Sequence, residues 1–560
     1  MSSDETHHWY AATCEHTEEK KGEAEHIKVD GTTVEAATTE KKGKIAYTCP
    51  VCKRELYEEI PQIPIAVSSE KPLAATLETE NLKATTSLRL IGTLSDDDFK
   101  TLREMTTLVS LDITEVTNDN IPIEAFKESS FKTIQLPSGL KTINNGAFNG
   151  SSLTELIIPE GVKEIGDSIL LNSKHLTKLV IPGTVEKVGQ RIIQVTSADS
   201  LGNIYFEDGI PDVTVILNEG IKELSPSTFC GSAVKEVIIP TTVTVIPESC
   251  FALSRLEKIS LPNSITKIDR WAFERTNLTE LIIPEGVKEI GNSILFNSKH
   301  LTKLVIPGTV EKVGRWILEV PLEDGIPDVT LILNEGIKEL APSAFWGSAV
   351  KEVVIPSTVT VIPDWCFSNS RLEKITFHDG ITRIGGWAFE NCKLQFEDKL
   401  IVPKSVKVLG PFAFYLHLDV SNEIVLNEGL EVIYQDAMVL GIDNKTLEIP
   451  ASVNKLYRGA LILENGLDSV VFKGETPPEY CNNFDPFKIS YNKETGEYVG
   501  PPDEGPSPGN PPPSINIKEA EKYKNLKAYV PAGSLEAYKI ALETDTDFEP
   551  FKVENILVSE

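Results

Sequence analysis

Residues 153–189 read "LTELIIPEGVKEIGDSILLNSKHLTKLVIPGTVEKVG", and residues 278–314 read "LTELIIPEGVKEIGNSILFNSKHLTKLVIPGTVEKVG". The two stretches differ at two positions, with Asp167 against Asn292 and Leu171 against Phe296. A catalytic site needs each of its residues once. A near-identical duplication of this length therefore favours a repetitive scaffold, in which function resides in an extended surface.

The repeating unit is shorter than the duplication. "LIIPEGVKEIG" (156–166) and "LVIPGTVEKVG" (179–189) are two versions of one unit, and the residue after the short apolar run recurs mostly at steps of 22 or 23 positions. Longer steps after Pro182 and Pro307 predict insertions. A period of this length is typical of a solenoid, because each unit buries its apolar face only against its neighbours.

Each unit predicts a short strand followed by a turn. In "LTELIIP", Leu153, Leu156 and Ile158 fall on one side, as in a β-strand, and the following proline ends the strand. "GVKEIG" (161–166) is interpreted as a turn with two apolar anchors. The alternation indicates that one strand face packs inward and the other faces solvent.

A large apolar residue also stands eleven positions before the next proline-type position. The members of this column are Phe126, Phe148, Phe229, Phe251, Phe273, Phe345 and Phe367. Counted in the same way, the column includes Leu171 and Phe296. We therefore expect that difference between the two copies to be an exchange of one core residue for another.

These units resemble the BspA-like, or treponemal-class, leucine-rich repeats, whose pattern is Leu-x-x-Leu-x-Ile-Pro, then Val-x-x-Ile-Gly, then Ala-Phe. "LTELIIPEGVKEIG", "LEKISLPNSITKIDRWAFERTN" (256–277) and "ITRIGGWAFENC" (381–392) carry the resemblance, which covers roughly residues 85–560. "LKAYVPAGSLEAYK" (526–539) is similar to the terminal strand and helix of such arrays. The resemblance implies an α/β-type, mostly β, right-handed curved solenoid with a parallel sheet. It also implies export or surface attachment in bacteria, with a role in adhesion or other protein binding.

The repeat pattern and the resemblance together predict how the chain is organised. The predicted parts are a small Cys/His module at 1–62, a linker and N-terminal cap at 63–84, leucine-rich repeats at 85–473, a Pro-rich insertion in the last repeat at 474–525, and a capping strand and helix at 526–560.

The N-terminal module carries a possible metal site. Its candidate ligands are Cys14, His16, Cys49 and Cys52. Structural zinc takes four nitrogen or sulfur ligands, and Cys-x-x-Cys presents two thiolates at a suitable spacing. The alternatives are a disulfide between two of these cysteines or a set of reduced thiols. No other cofactor is expected.

Several functional classes are disfavoured. The formal charge of -29 argues against binding of nucleic acid or anionic membranes. There is neither an apolar run of about 18 residues nor a phosphate loop or nucleophile elbow. The polar start "MSSDETHHWY" lacks the apolar centre of a signal peptide, so a surface location presupposes an export signal outside this chain. Cys230, Cys250, Cys366 and Cys392 are expected to be buried apolar residues.

The outward strand positions form two adjacent columns, one of β-branched residues and one of alternating Glu and Lys. The candidate binding residues are Glu155, Ile157, Lys178, Val180, Ile238, Lys258, Glu280, Ile282, Lys303, Val305, Ile332, Glu352, Val354 and Lys374. The columns could fix the strand register, or they could bind a protein on the concave face.

We expect a monomeric, non-enzymatic protein without catalytic residues, which binds a protein or glycoprotein partner. A spacer solenoid without a specific ligand is the alternative. An enzyme with its active site in the insertion at 190–214 is the third reading.

Overall fold

The computed structural model divides the chain into two compact units, Met1–Ile221 and Lys222–Glu560, and each is described by itself. The described residues are 2–3, 7–11, 20–25, 31–39, 42–49, 55–60, 62–77, 79–198, 204–395, 399–415, 423–438, 446–457, 460, 468–481, 490–491, 498–499, 527–543 and 556–558.

The first unit begins with two small antiparallel sheets. Their strands are β1 (Ser2–Ser3), β2 (His7–Ala11) and β3 (Lys20–Glu25), then β4 (Thr32–Glu35), β5 (Gly43–Thr48) and β6 (Glu55–Ile60).

A cap of mixed structure follows, in which parallel strands are joined by short helices. Its elements are β7 (Ile65–Val67), α1 (Leu73–Thr76), α2 (Thr79–Ala84), β8 (Ser87–Gly92), α3 (Asp96–Glu104) and β9 (Ser110–Val116). A capping box starts α3, because the Ser95 hydroxyl accepts from the Asp98 amide and the Asp98 carboxylate accepts from the Ser95 amide. That carboxylate also accepts from the Leu73 amide at 2.6 Å, which ties α1 to α3.

The repeats of the first unit form two parallel ladders, because every turn contributes one strand to each. The first runs through the long strands, and we call it the long-strand sheet in both units. Here β11 (Thr133–Gln135) pairs with β9 of the cap, whereas β13 (Glu155–Ile157), β15 (Lys178–Ile181) and β19 (Thr214–Leu217) form one three-stranded sheet. The second, the short-strand sheet, contains β10 (Asn120–Ile121), β12 (Thr142–Ile143), β14 (Glu164–Ile165) and β16 (Lys187–Val188). The insertion carries a hairpin of β17 (Thr196–Ala198) and β18 (Ile204–Phe206).

The second unit repeats this arrangement over more turns. Its long strands are β21 (Glu236–Ile238), β23 (Lys258–Ser260), β25 (Glu280–Ile282), β27 (Lys303–Ile306), β29 (Val329–Leu333), β31 (Val350–Val354), β33 (Lys374–Thr376), β35 (Lys399–Ile401), β37 (Glu423–Val425), β39 (Thr446–Ile449), β41 (Ser469–Phe472), β45 (Lys527–Val530) and β46 (Ile556–Val558). Its short strands are β20 (Glu223–Leu224), β22 (Val245–Ile246), β24 (Lys267–Ile268), β26 (Glu289–Ile290), β28 (Lys312–Val313), β30 (Glu339–Leu340), β32 (Val361–Ile362), β34 (Arg383–Ile384), β36 (Val408–Leu409), β38 (Val432–Ile433), β40 (Lys455–Tyr457) and β42 (Glu479–Cys481).

The last described part of the second unit contains a strand and a helix. Strand β45 pairs in parallel with β41, and helix α4 (Leu535–Glu543) follows it. Tyr538 of α4 is buried, and its hydroxyl donates to the Gly474 carbonyl at 3.0 Å. A small hairpin of β43 (Ser490–Tyr491) and β44 (Tyr498–Val499) lies in the predicted insertion, most of which falls outside the described residues.

The segment at 161–166, which the sequence predicted to be a turn, contains a short strand. In "GVKEIG" the turn covers only the first residues, and Glu164–Ile165 forms strand β14, which pairs with Thr142–Ile143 of the previous turn. The prediction was wrong because a two-residue strand has no periodicity of its own. Its pairing comes from the identical dipeptide position in the neighbouring turns.

The phenylalanine column forms the core of each unit. Phe126 stacks on Phe148 with ring centroids 5.4 Å apart in the first unit. In the second unit, Phe251 lies between Phe229 at 5.3 Å and Phe273 at 5.8 Å. The rings are nearly parallel, with interplanar angles of 16°, 15° and 10°, because successive turns place them at equivalent positions.

Leu171 and Phe296 do not belong to this column. The amide of Phe148 donates to the carbonyl of Ile169, as the amide of Phe126 does to Ala147, so Leu170 is the equivalent of Phe148. Leu170 and Leu295 are fully buried, whereas Leu171 and Phe296 are partly exposed. The predicted core exchange was wrong because "NSKHL" adds a residue, which shifts the column one position towards the N-terminus.

Candidate binding surface

The outward residues of the long-strand sheet lie in the predicted columns. In the first unit, Glu155 aligns with Lys178, and Ile157 aligns with Val180 and then Ile216. The backbone explains the alignment, because successive side chains of a strand alternate between faces while Leu156 and its equivalents point into the core.

The longest apolar column lies in the second unit. Ile282, Val305 and Ile332 are in register on β25, β27 and β29, and Val354 follows on β31. Their aliphatic side chains are left in solvent, with 54% of Ile282, 38% of Ile332 and 58% of Val354 exposed. We call these four residues the apolar column. The next strand, β33, ends it with Thr376.

The charged column runs beside the apolar column. Glu280 faces Lys303 with its carboxylate 4.0 Å from the ammonium, and Glu352 faces Lys374 at 3.1 Å. All four side chains are well exposed, so each pair contributes on the order of 0.2–1 kcal/mol. These pairs favour the native register without providing much stability.

The remaining predicted residues form a separate, shorter group. Ile238 and Lys258 lie on β21 and β23, where Ile238 aligns with Ser260. Ile238 is exposed, but the polar residue opposite it interrupts the column. The structure therefore brings the predicted residues together as local groups, of which the apolar column is the longest.

Most of the predicted metal ligands fall outside the described residues. Cys14, His16 and Cys52 lie outside the described residues. Cys49 is described, and its side chain is buried. Within the described part of the chain, no group of three His, Cys, Asp or Glu residues is placed to hold a metal ion.

All four repeat cysteines were predicted to be buried, and the prediction is confirmed for three of them and wrong for Cys230. Cys250, Cys366 and Cys392 are buried, whereas Cys230 is partly exposed. Burial raises the pKa of the Cys250 and Cys366 thiols far above the usual range and that of Cys392 to about 12. A thiol held protonated in this way is a poor nucleophile.

A groove in the second unit was not predicted. It has a volume of about 600 Å³ and lies along the end of the short-strand sheet. Its polar lining includes Asp269, Arg270, Glu289, Asn292, Lys312 and Arg315. A sequence signal existed, because Arg-Trp stands at residues 270–271 and 315–316, at the same place in each turn.

The fold and its columns define a leucine-rich repeat protein. Turns of mostly 22 or 23 residues stack in parallel, with aliphatic residues on the inner face of one sheet and a phenylalanine column behind it. The chain belongs to the BspA type leucine rich repeat region family, whose model matches residues 98–213, 199–319 and 338–468 in six copies.

Solved structures of similar proteins include a leucine-rich repeat protein from Bacteroides ovatus, at 18% identity over 71% of this chain and 88% of that chain, with a TM-score of 0.37. A leucine rich cell surface protein from Faecalibacterium prausnitzii is 20% identical over 60% of this chain and 83% of that chain, with a TM-score of 0.29. The pneumococcal vaccine antigen PcpA is 15% identical over 94% and 89%, with a TM-score of 0.27. Among curated proteins, no match is found.

The described residues contain no helix that is both long enough and apolar enough to cross a membrane.

Proposed function

We propose that this protein is a non-enzymatic binding protein that recognises a protein or glycoprotein through the outward face of its long-strand sheet. The observation that carries the proposal is the apolar column, in which four aliphatic residues on successive strands face solvent. Covering Ile282 and Val354 would remove apolar area from water, at roughly 25 cal/mol per Å². Apolar residues grouped in this way are typical of interaction sites.

The charged column supports the same proposal. Glu280, Lys303, Glu352 and Lys374 border the apolar residues, as polar rims border the apolar centre of protein interfaces. A rim of both signs contributes more to partner choice and association rate than to affinity. The charged column would therefore help the protein to select a partner whose surface carries charges complementary to these residues.

We further propose that the protein acts as a monomer outside the cell, at the cell surface or after secretion, in adhesion or host interaction. Its membership of the BspA type repeat family supports this setting. Antibody labelling of intact cells of the source organism tests it. Labelling only after permeabilisation would overturn it.

The test of the binding face uses a conservative triple variant, Ile282→Thr, Ile332→Thr and Val354→Thr. Threonine keeps the β-branch that strands favour but removes apolar surface. The matched control makes the same change at Ile63, Val109 and Ile123 of the first unit, which are exposed but lie outside the predicted columns. Binding is measured by surface plasmon resonance against purified extracellular matrix proteins and glycoproteins.

We expect the triple variant to bind its partner at least about tenfold more weakly, which is the loss of one or two interface anchors, while the control binds as the original chain does. Circular dichroism should be the same for all three proteins. Unchanged binding by the triple variant would contradict the proposal that the apolar column binds the partner. Failure of the original chain to bind any partner would favour a spacer solenoid.

A further inference from the structure

We propose that the groove of the second unit is a carbohydrate site, which takes an uncharged oligosaccharide between Arg270-Trp271 and Arg315-Trp316. This site lies on a different surface from the apolar column and does not depend on the function proposed above. The argument starts from a comparison within the chain.

The duplication supplies that comparison, because equivalent residues stand 125 positions apart. The Gly166 amide donates to Ile143 in the first copy, as the Gly291 amide does to Ile268 in the second, so the corners of both copies share one backbone. At these corners six residues differ between the copies, and the first pair is Asn144 and Asp269. Asn145, Gly146, Asp167, Gln190 and Arg191 correspond to Arg270, Trp271, Asn292, Arg315 and Trp316.

These exchanges contrast with the identity of the strands between them. Of the two differences inside the 37-residue stretch, Asn292 lines the groove. Arg270 and Arg315 line it as well, on the turns before and after. Between these two corners the strands are identical while the groove lining differs, so the second copy presents a different set of polar side chains there.

The tryptophans occupy a backbone position that does not favour them. Trp271 has φ 56° and Trp316 has φ 53°, in the left-handed region, where the first copy has Gly146 and Arg191. A β-carbon is sterically disfavoured in this region, so glycine fits it better than a bulky residue does. Four of the six tryptophans share this position, the others being Trp365 and Trp387.

Their neighbours decide whether the rings are buried. Trp365 stacks on Trp387 at 5.1 Å, Trp387 stacks on Phe412 at 5.3 Å, and Trp387 is only 5% exposed. Trp271 has serine, not an aromatic residue, at this position in both adjacent turns, and it is 36% exposed. Trp365, Trp387 and Phe412 thus pack against one another, whereas Trp271 keeps a partly exposed ring beside Arg270, which lines the groove.

The arginines join these rings to the groove. The Arg270 guanidinium lies 4.6 Å from the centre of the Trp271 ring and 2.9 Å from the Glu248 carboxylate. The Arg315 guanidinium lies 6.0 Å from the centre of the Trp316 ring. Asn292 accepts from the Arg315 amide at 3.0 Å, which fixes the groove wall. Donors held in this way are preorganised for a ligand.

The charges select the ligand class. The lining bears three acidic residues, Glu248, Asp269 and Glu289, and three basic ones, Arg270, Lys312 and Arg315. A balanced lining gives no net attraction for an anion, but it offers hydrogen-bond donors and acceptors side by side. Vicinal hydroxyl groups match such a lining, and the apolar face of a sugar ring packs on an exposed indole. The volume is within the range of small-ligand sites.

The test compares the full chain with a corner-swap variant that carries the residues of the first copy, Arg270→Asn, Trp271→Gly, Arg315→Gln and Trp316→Arg. These residues already occupy the same backbone elsewhere in the chain, so the variant should fold. The probes are a panel of neutral and acidic oligosaccharides, with tryptophan fluorescence and titration calorimetry as readouts. The sheet-face triple variant serves as the control for the other surface.

We expect the original chain and the sheet-face variant to bind a neutral oligosaccharide with a change in tryptophan emission. The corner-swap variant should bind it roughly tenfold more weakly or not at all, the loss typical of removing anchoring side chains. The inference is overturned if the original chain binds no neutral oligosaccharide, if the corner-swap variant binds equally well, or if only acidic sugars bind.

Discussion

The two copies of the duplicated stretch keep their interior and change their corners. Leu170 and Leu295 fill the same buried position, and the strands around them are identical. The corner residues differ, although the backbone beneath them follows the same path. The difference shows how a solenoid divides its constraints. A core residue must fit the turns on both sides, whereas a corner residue meets solvent and can be exchanged for recognition.

The largest effects are therefore expected in the interior. Leu170→Ala and Leu295→Ala should each lower the free energy of unfolding by about 2–5 kcal/mol, because each removes a fully buried side chain from a close-packed column. Denaturant titration of the variants measures the loss. Leu171→Ala is the control and should cost less than about 1 kcal/mol, since Leu171 is partly exposed. A larger loss of stability for Leu171→Ala than for Leu170→Ala would show that Leu171, and not Leu170, occupies the core position.

The second expectation concerns a close backbone approach that both copies retain. A Cβ at Gly183 would lie 1.7 Å from the Glu219 carbonyl oxygen, and a Cβ at Gly308 would lie 1.7 Å from that of Glu335. Gly183→Ala and Gly308→Ala should each cost about 1–3 kcal/mol, because the turns must move apart. Gly139→Ala, which meets no atom within 4 Å, is the control and should change unfolding by less than about 0.5 kcal/mol.

If Gly308→Ala were as harmless as Gly139→Ala, the turns would be loosely packed at this point. The preserved glycine would then be an accident of the duplication.

The difference between core and corner residues also explains which features could be predicted from the sequence. The strands and the phenylalanine column were predictable, because alternation and a fixed period are local signals. The column was misplaced at Leu171 because the count assumed the shorter turn, and the short strands were missed because their pairing lies one turn away. The groove was missed because Arg270, Asn292 and Arg315 come from three successive turns. Only the Arg-Trp dipeptides marked it.

A smaller effect on stability is expected at the aromatic corner. Trp271→Gly should change the free energy of unfolding by less than about 1 kcal/mol, since glycine relieves the left-handed backbone while a partly exposed ring is lost. Thermal denaturation provides the measurement. Trp387→Gly, at the same backbone position but buried between two rings, should cost about 3 kcal/mol or more.

Equal losses at Trp271 and Trp387 would mean that the exposed ring is structural. The corner of the second copy would then be part of the folded core, and the proposed difference between core and corner residues would not hold there.

The smallest effect is expected on the open sheet face, where Glu352 and Lys374 pair at 3.1 Å. Because both side chains are more than half exposed, a double-mutant cycle with Glu352→Gln and Lys374→Met should give a coupling of about 0.2–1 kcal/mol that shrinks in high salt. A coupling above about 2 kcal/mol would place the pair among the structural elements of the sheet and favour the register-fixing reading of the charged column. A coupling near the lower bound leaves the residues free to serve a partner, because their exchange would then alter recognition with little cost to the fold.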